Sequence, residues 1–340
     1  MPSARPDPAP VQALRQGSIS VVLPLYQGEA TIERAIASVQ AQTVPATQII
    51  VVDDGSTDSG AARVRAIDDA RIVLIEQHNA GSGAARNVGI RLATGTFMAF
   101  LDADDEWLPD FFERATLAFE NHPQVDFYFG DSVELGLDTG VGARAPGYAL
   151  GRVTDAAGEN PVKRIDPPLS GNGKTLKRRI DQSLCTMVAR RERLLDLGGY
   201  YDRDGCRYGE DSVLALLIHW NHPILHQRIA VHLRHRLDSG LTRSNQREPL
   251  VRPLVSDTPY VLERIDPTAR PLARRLIAYL AALDASRLAK AGRVQAAWQV
   301  LVSALRLSDL SHGELVLPLA RFALRAIGLG RKRRRSSPSP

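Results

Sequence analysis

Cysteine and long apolar runs are both scarce in this 340-residue chain. The two cysteines, Cys185 and Cys206, show neither metal-ligand spacing nor a framework of disulfide pairs, which favours a reducing cytoplasm. No apolar run approaches the roughly 20 residues that a membrane-spanning helix requires, so we expect any membrane contact to be peripheral. The first ten residues contain four prolines and no apolar core of a signal peptide. Residues 1–17 are therefore predicted to be a disordered leader.

Several catalytic and nucleotide-binding patterns are also missing. Gly81 and Gly83 lack the third glycine of a dinucleotide fingerprint, and they follow the third predicted strand rather than the first. The sequence Gly173-Lys174-Thr175 resembles the end of a P-loop, but Pro168 stands where that loop requires a glycine. We find no Ser-His-Asp arrangement that would supply a covalent nucleophile. These patterns argue against a nicotinamide-binding Rossmann domain, and Gly173-Lys174-Thr175 is predicted to be a loop.

Apolar residues make up 44% of the chain and charged residues 24%, as in ordinary globular proteins. From Ile19 onward, short β-branched runs alternate with segments of helical period, which predicts an α/β fold with a parallel sheet. The predicted strands cover 19–23, 49–52, 72–75, 97–101 and 125–129. Because ligands bind at the carboxyl ends of such strands, the polar residues that follow each strand are the candidate site.

The remainder of the chain has a different character. Residues 136–182 are rich in Gly, Pro and Arg without a clear period, which is typical of a lid or an insertion. Beyond about residue 250 only helical periods occur, including a hairpin around Gly292 and a last helix over 314–327. Five basic residues, Arg331 to Arg335, follow that helix. Such a run either lies in solvent or binds a phosphate-rich surface such as anionic lipid.

Three carboxylates, Asp102, Asp104 and Asp105, follow the predicted strand 97–101 directly. Clustered carboxylates repel each other unless a cation lies among them, and Mg²⁺ and Mn²⁺ prefer oxygen ligands. An Asp-x-Asp pair at a strand end therefore suits a divalent ion that bridges the protein to a diphosphate. The alternative is that Asp104 or Asp105 caps a helix beginning near Pro109, which explains one aspartate and not three.

Three further segments carry candidate chemistry. Asp53 and Asp54 end the second predicted strand, where an acid can accept hydrogen bonds from a ribose or a base, whereas Ser56 and Asp58 are expected to be structural. Arg86 can pair with an acid or a phosphate. Asp211 stands at the start of an amphipathic helix, where the helix dipole is expected to keep it ionised and available as a general base. Simple helix capping is the alternative role for Asp211.

In this order the segments resemble the family 2 glycosyltransferases over about residues 19–242. The residues that carry the resemblance are Val21-Val22-Leu23-Pro24-Leu25-Tyr26, Val52-Asp53-Asp54-Gly55-Ser56, Ala84-Ala85-Arg86-Asn87, Leu101-Asp102-Ala103-Asp104-Asp105 and Gly209-Glu210-Asp211. The resemblance implies a GT-A fold, a Rossmann-like mixed sheet with a small helical C-terminal region. It also implies transfer with inversion from a nucleoside diphosphate-sugar to an acceptor hydroxyl, in polysaccharide or glycolipid synthesis.

The resemblance also implies roles for individual residues. Asp211 would be the catalytic base, Asp104 the ligand of a Mn²⁺ or Mg²⁺ ion, and Asp102 a contact of the ribose. Arg86 would support the acids or the donor phosphates. The nucleoside pocket would be lined by Pro24, Tyr26 and Asp54, with Glu29 as a weaker match to an acidic position after the first strand.

One stretch departs from the family pattern. Members often carry an aromatic-Arg-x-His-like sequence after the base helix, and Asp238 stands at the histidine position here, preceded by His235 and Arg236. The contact of the diphosphate is therefore left open. As isolated histidines, His232 and His235 are expected to be strand-surface residues rather than ligands.

The resulting expectation divides the chain into a leader 1–17, a catalytic domain 18–245, a helical region 246–330 and a basic tail 331–340. The partners would be the donor, a saccharide or lipid-linked acceptor and, through the tail, the anionic inner face of the membrane, with the protein itself in the cytoplasm. The alternatives are a non-catalytic sugar-nucleotide-binding protein and, less favoured by the acidic Tyr26-Gln27-Gly28-Glu29 loop, a nucleotidyltransferase. A nucleic-acid partner is not expected, since no aromatic platform is interleaved with basic residues.

Overall fold

The computed structural model describes residues 18–135, 162–167, 177, 183–235 and 250–307. These residues form two compact units: Lys177 and 250–307 belong to the second, and the others to the first. The predicted leader, most of 136–182, the helix predicted over 314–327 and the basic tail lie outside the described residues. The predicted domain boundary at residue 245 also falls outside them and stays a prediction.

The first unit is built on a nine-stranded mixed sheet. Its strands are β1 Ile19–Leu25, β2 Gln48–Asp53, β3 Ile72–Glu76, β4 Phe97–Phe100, β5 Glu106–Trp107, β6 Phe127–Leu135, β7 Lys163–Ile165, β8 Met187–Arg190 and β9 Ile224–His235. Its helices are α1 Ile32–Gln40, α2 Gly60–Arg65, α3 Ser82–Leu92, α4 Phe111–Asn121, α5 Arg191–Asp196 and α6 Glu210–Asn221. The predicted α/β class and the five predicted strands are confirmed.

The strand order is β3-β2-β1-β4-β8-β6-β9-β5, and β7 pairs with β9. β1 to β4 are mutually parallel, as their βα alternation predicted, whereas β8 is antiparallel to both β4 and β6. Strand β7 lies within the segment 136–182, for which the sequence pattern indicated no regular structure. The parallel half brings the carboxyl ends of β1, β2 and β4 to one edge of the sheet.

Apolar side chains of the strands and of α1 and α4 form the main core. β1 and β2 are buried along nearly their whole length, as expected for parallel strands covered on both faces. Helix α3 packs especially close to the sheet: a Cβ on Gly89 would lie 2.4 Å from Val22 Cγ1. The close packing fixes the position of α3, which carries Arg86.

The second unit is helical, as predicted. Its helices are α7 Pro253–Ser256, α8 Thr258–Glu263, α9 Arg270–Lys290 and α10 Val294–Leu307. α9 and α10 form the predicted hairpin, with Gly292 at a φ of 83° between them. The carboxylate of Asp284, fully buried in α9, pairs with the side chains of Arg252 and Arg287 and accepts a hydrogen bond from the backbone N of Arg252. None of the helices in the described parts of the chain is long and apolar enough to cross a membrane.

Candidate active site

The three aspartates after β4 lie together. Asp102, Asp104 and Asp105 each bring a carboxylate oxygen to within 4.8 Å of the others. Asp102 and Asp104 are half-buried and Asp105 is buried. The capping alternative is wrong, because α4 begins at Phe111 with Asp110 at its N-cap. The three carboxylates of the acidic loop 102–105 therefore form a cluster and do not cap a helix.

The pKa values of Asp104 and Asp102 in this loop are shifted in opposite directions. Burial raises the pKa of Asp104 to about 7, and the neighbouring charges of Asp102 and Asp105 act in the same direction. Burial acts to raise the pKa of Asp102 as well, but the charge of Arg86 and a 2.5 Å hydrogen bond from its Nη2 outweigh it, so that pKa is lowered. A divalent cation among these oxygens would favour the ionised form of Asp104. The residues thus fit a metal ion by number, chemistry and charge.

Asp105 has a different environment from the other two aspartates. Its Oδ2 accepts a hydrogen bond from His232 Nε2 at 2.9 Å, and its Oδ1 accepts one from the backbone N of His235 at 3.0 Å. His232 is fully buried, and His235 Nε2 lies 2.6 Å from Glu106 Oε1. The expectation that His232 is a strand-surface residue is therefore wrong, whereas His235 is half-buried at the end of β9. His232 ends a run of four consecutive buried residues in β9, 229–232, and lies next to an acid 127 positions away in sequence.

Arg86 links the acidic loop to the start of α6. Its Nη1 lies 3.2 Å from Glu210 Oε1, while its Nη2 binds Asp102. The guanidinium also stacks over the ring of Tyr200 at 5.0 Å and is buried. Ser82 Oγ donates to the same Glu210 oxygen at 2.5 Å. Of the two roles predicted for Arg86, the one observed is the pairing with acids.

Asp211 lies at the N-terminus of α6, directly after Glu210. The residue is exposed, but protein atoms crowd its carboxyl group, and this burial together with the charge of Glu210 raises its pKa. The charge of Arg86 acts in the opposite direction without prevailing. Burial and the charge of Glu210 thus act on this pKa in the direction opposite to the one expected for a helix N-terminus. An ionised Asp211 is accordingly a stronger proton acceptor than an ordinary aspartate.

The predicted nucleoside residues lie at the ends of β1 and β2. Pro24 is half-buried and Tyr26 is 55% exposed. Asp54 is buried, and its carboxylate accepts hydrogen bonds from Gln77 Nε2 at 2.7 Å and from the backbone N of Ala80 and of Gly81 at 2.8 Å each. Asp54 therefore shapes the loop before α3.

The loop before α3 is tightly constrained at Gly81. Gly81 has a φ of 95°, and a Cβ there would lie 2.7 Å from the carbonyl oxygen of Cys206. Only glycine fits this close approach of two loops. Asn79 Oδ1, in the same loop, is buried and has no hydrogen-bond partner within the protein. It is an acceptor for which a ligand N–H or O–H is the natural partner.

Glu29 does not join the acidic loop. Its Oε2 accepts hydrogen bonds from Ser59 Oγ at 2.6 Å and Ser59 N at 3.1 Å, which lower its pKa. Ser56 Oγ accepts from the backbone N of Gln27 and Asp58 Oδ2 from that of Glu29, so both have the structural roles predicted for them. The contacts of Glu29 are those of a residue that joins two loops.

Two charged residues of the site were given no role on sequence grounds. Glu210 bridges Ser82 and Arg86, and its sequence signal was only its place beside Asp211. Arg234 is exposed near the end of β9, and its charge acts to lower the pKa of Asp102 and of Asp104, although burial and neighbouring acids outweigh it at Asp104. Arg234 could be found only from the pairing of β9, since 132 positions separate it from Asp102.

Comparison with known proteins finds glycosyltransferases. Residues 20–181 match the family model for glycosyl transferase family 2. Over 110 residues the chain is 41% identical to the uncharacterized glycosyltransferase YibD of Escherichia coli, and the match covers 32% of each chain. Over 115 residues it is 35% identical to the E. coli UDP-Glc:alpha-D-GlcNAc-diphosphoundecaprenol beta-1,3-glucosyltransferase WfgD, which covers 33% of this chain and 45% of WfgD. The chain thus spans less than half the length of these relatives.

Two further proteins extend the comparison. The succinoglycan biosynthesis protein ExoO of Rhizobium meliloti is 43% identical over 97 residues, which are 28% of each chain. The crystal structure of S. aureus TarS 1–349 in complex with UDP-GlcNAc has a TM-score of 0.53 and 19% sequence identity, covering 91% of this chain and 81% of TarS. At that identity the likeness concerns the fold, which is of the GT-A type. Over residues 20–181, then, this chain matches glycosyltransferase family 2, the family that its motifs predicted.

Proposed function

We propose that the protein transfers a sugar from a uridine diphosphate-sugar to an acceptor hydroxyl, with inversion at the anomeric carbon. The observation that carries the proposal is the set of charges at the carboxyl edge of the sheet. Asp104, with a raised pKa, stands in an acidic loop, and Arg86 joins that loop to the candidate base Asp211 through Glu210. Metal-dependent transfer requires a metal site and a catalytic base that lie near each other.

The acidic loop would hold a divalent ion, Mn²⁺ or Mg²⁺, through Asp104. When bound, such an ion acts as a Lewis acid that stabilises the departing diphosphate. Arg86 holds one oxygen of Asp102 at 2.5 Å, and the other oxygen would accept a hydrogen bond from a ribose hydroxyl of the donor. Arg234, exposed beside these acids, supplies a cation for the donor phosphates. We therefore propose Arg234 as the contact of the diphosphate, which the departure at Asp238 left open.

Asp211 would take the proton from the attacking acceptor hydroxyl. Its carboxyl group is crowded and lies next to Glu210, and both conditions raise its pKa and strengthen it as a base. Arg86 and Ser82 hold the Glu210 carboxylate, so Glu210 is oriented towards them. In a single displacement the acceptor attacks from the face opposite the diphosphate, and no covalent intermediate with the protein is formed.

The nucleoside would bind beside Pro24 and Tyr26, at the loop that Asp54 organises. Asn79 Oδ1 is a buried acceptor without a protein partner, and the N–H of a uracil base has the complementary chemistry. Uridine is chosen because WfgD is named for UDP-Glc and the TarS structures contain UDP-GlcNAc and UDP. Glu29, bound to Ser59, remains a weaker member of this pocket.

The acceptor would be a growing polysaccharide or a lipid-linked saccharide. ExoO is a succinoglycan biosynthesis protein, and the name of WfgD specifies a diphosphoundecaprenol acceptor. We place the reaction in the cytoplasm, with the basic residues Arg331 to Arg335 bound to an anionic inner membrane face. Co-sedimentation with anionic vesicles tests this: binding should fall with added salt and on truncation after Gly330.

A donor screen tests the proposed reaction. The full chain is incubated with a panel of nucleoside diphosphate-sugars and Mn²⁺ or Mg²⁺, and release of nucleoside diphosphate is measured with oligosaccharide and lipid-linked acceptors. Turnover with a UDP-sugar and its loss in EDTA are expected. Asp104→Asn should abolish turnover, whereas Asp110→Asn, a change in an aspartate outside the loop, should not. Binding of UDP without turnover would favour the non-catalytic alternative, and release of pyrophosphate from a nucleoside triphosphate would favour a nucleotidyltransferase.

A further inference from the structure

His232 occupies a position that no motif of the sequence singles out. It is fully buried in β9, opposite Trp107 of β5 in the strand register. Its Nε2 lies 2.9 Å from Asp105 Oδ2, and its Nδ1 lies 2.9 Å from Ser132 Oγ of β6. An ionised carboxylate only accepts hydrogen bonds, so Nε2 carries the proton and a neutral ring accepts from the Ser132 hydroxyl. The ring is therefore fixed from both sides.

The contacts of Asp105 show what His232 holds. The second oxygen of Asp105 accepts from the backbone N of His235, and its own backbone N donates to the carbonyl of Asp102 at 3.1 Å. Both carboxylate oxygens thus already have donors, and the backbone of Asp105 closes the turn that carries Asp104. Further along, Leu108 N donates to Val231 O at 2.9 Å, so the segment after the loop is also tied to β9.

These contacts lead to one assignment, which rests on the proposed function. We propose that His232 is a positioning residue of the metal site: by holding Asp105 against β9, it fixes the acidic loop so that Asp104 presents its carboxylate to the ion. His232 itself does not bind the ion, since both ring nitrogens are engaged. Outer partners of this kind typically change metal affinity 10- to 100-fold when they are removed.

Two substitutions of His232 test the roles of its two ring nitrogens separately. In glutamine the Nε2 amide stands three bonds from Cβ, as does Nε2 of histidine, so His232→Gln keeps a donor for Asp105. In asparagine the amide reaches only the position of Nδ1, so His232→Asn keeps a partner for Ser132 and leaves Asp105 without its side-chain donor. A role limited to filling the core would make the two variants alike. The matched control is His226→Asn, since His226 also lies on β9 and pairs with Asp131 at 3.0 Å.

The experiment measures Mn²⁺ affinity of the full chain by electron paramagnetic resonance of free Mn²⁺, with and without saturating UDP. Circular dichroism and thermal unfolding verify that each variant is folded. We expect His232→Asn to weaken Mn²⁺ binding tenfold or more, and His232→Gln and His226→Asn to remain within about threefold of the parent. Ser132→Ala, which frees the ring to rotate, should weaken binding by a smaller factor and covers the case in which His232→Asn does not fold.

The outcomes distinguish a failure of the proposed metal site from a failure of the role proposed for His232. If the parent binds no Mn²⁺, the proposed metal site is wrong. If the parent binds Mn²⁺ and folded His232→Asn binds it equally well, the metal site stands and the role of His232 is overturned. Should His232→Asn not fold, parent-like Mn²⁺ affinity in Ser132→Ala would overturn it in the same way.

Discussion

Arg86 Nη2 lies 2.5 Å from Asp102 Oδ1, and this bond connects helix α3 to the acidic loop. The other terminal nitrogen binds Glu210, so one planar guanidinium joins both halves of the candidate site. A lysine ammonium is a point charge and cannot span both acids in this way. We therefore expect Arg86→Lys to lose one charged hydrogen bond.

The expected cost of Arg86→Lys is about 1.5–3 kcal/mol. Expressed as affinity for UDP in the presence of Mn²⁺, this is a loss of roughly ten- to a hundredfold, which isothermal titration calorimetry can measure. Arg91→Lys, on the exposed end of the same helix, is the control and should leave affinity unchanged. Parent-like affinity in Arg86→Lys would mean that the bridge is not needed to shape the donor site.

Mn²⁺ affinity should depend on pH through Asp104. A metal ion binds the ionised carboxylate, so protons compete with it wherever the pKa exceeds the pH. The pKa of Asp104 without an ion is about 7, because of burial and the charges of Asp102 and Asp105. Affinity should therefore be nearly constant above about pH 8 and fall up to about tenfold per pH unit below 7. An affinity that stays constant down to pH 5 would exclude Asp104 as the ligand that titrates.

Asp211→Asn should separate chemistry from binding. The substitution keeps size and removes the proton acceptor, so we expect UDP affinity near that of the parent and turnover reduced roughly 10²-fold or more. In the parent, turnover should rise with pH through the raised pKa of Asp211, because only the ionised form is a base. In Asp211→Asn that rise should be absent. Turnover within a few-fold of the parent would reduce Asp211 to a residue of the helix terminus.

The sequence was informative wherever a pattern is local. The short apolar runs predicted β1 to β4, and the acids at strand ends predicted the edge at which the site lies. The contacts of His232 and Arg234 could not be predicted, because they depend on β9 pairing with β5 and β6, which are about 100 positions away or more. The sequence also does not show which groups donate hydrogen bonds to a given carboxylate. The three donors that occupy Asp54 come from residues 77 to 81, and that loop has no period to predict its path.

Asp54→Ala should weaken donor binding by an indirect route. It leaves the backbone N–H groups of Ala80 and Gly81 without their acceptor, and a buried unsatisfied donor costs about 1–3 kcal/mol. We expect a lower melting temperature together with weaker UDP binding. Asp68→Ala, an exposed aspartate nearby in the sequence, is the control for both measurements. A full loss of affinity at unchanged stability would instead indicate a direct contact.

The helical unit should depend on Asp284. Its carboxylate is fully buried and pairs with Arg252 and Arg287, so Asp284→Ala leaves two arginines without their common partner. Breaking a buried ion pair from one side typically costs about 3–5 kcal/mol. Chemical denaturation should show this loss in the full chain, whereas Glu263→Ala at an exposed position should change stability by less than about 0.5 kcal/mol. If Asp284→Ala unfolds at the denaturant concentration of the parent, the buried carboxylate contributes no net stability, and α9 is held by its apolar contacts with α10 alone.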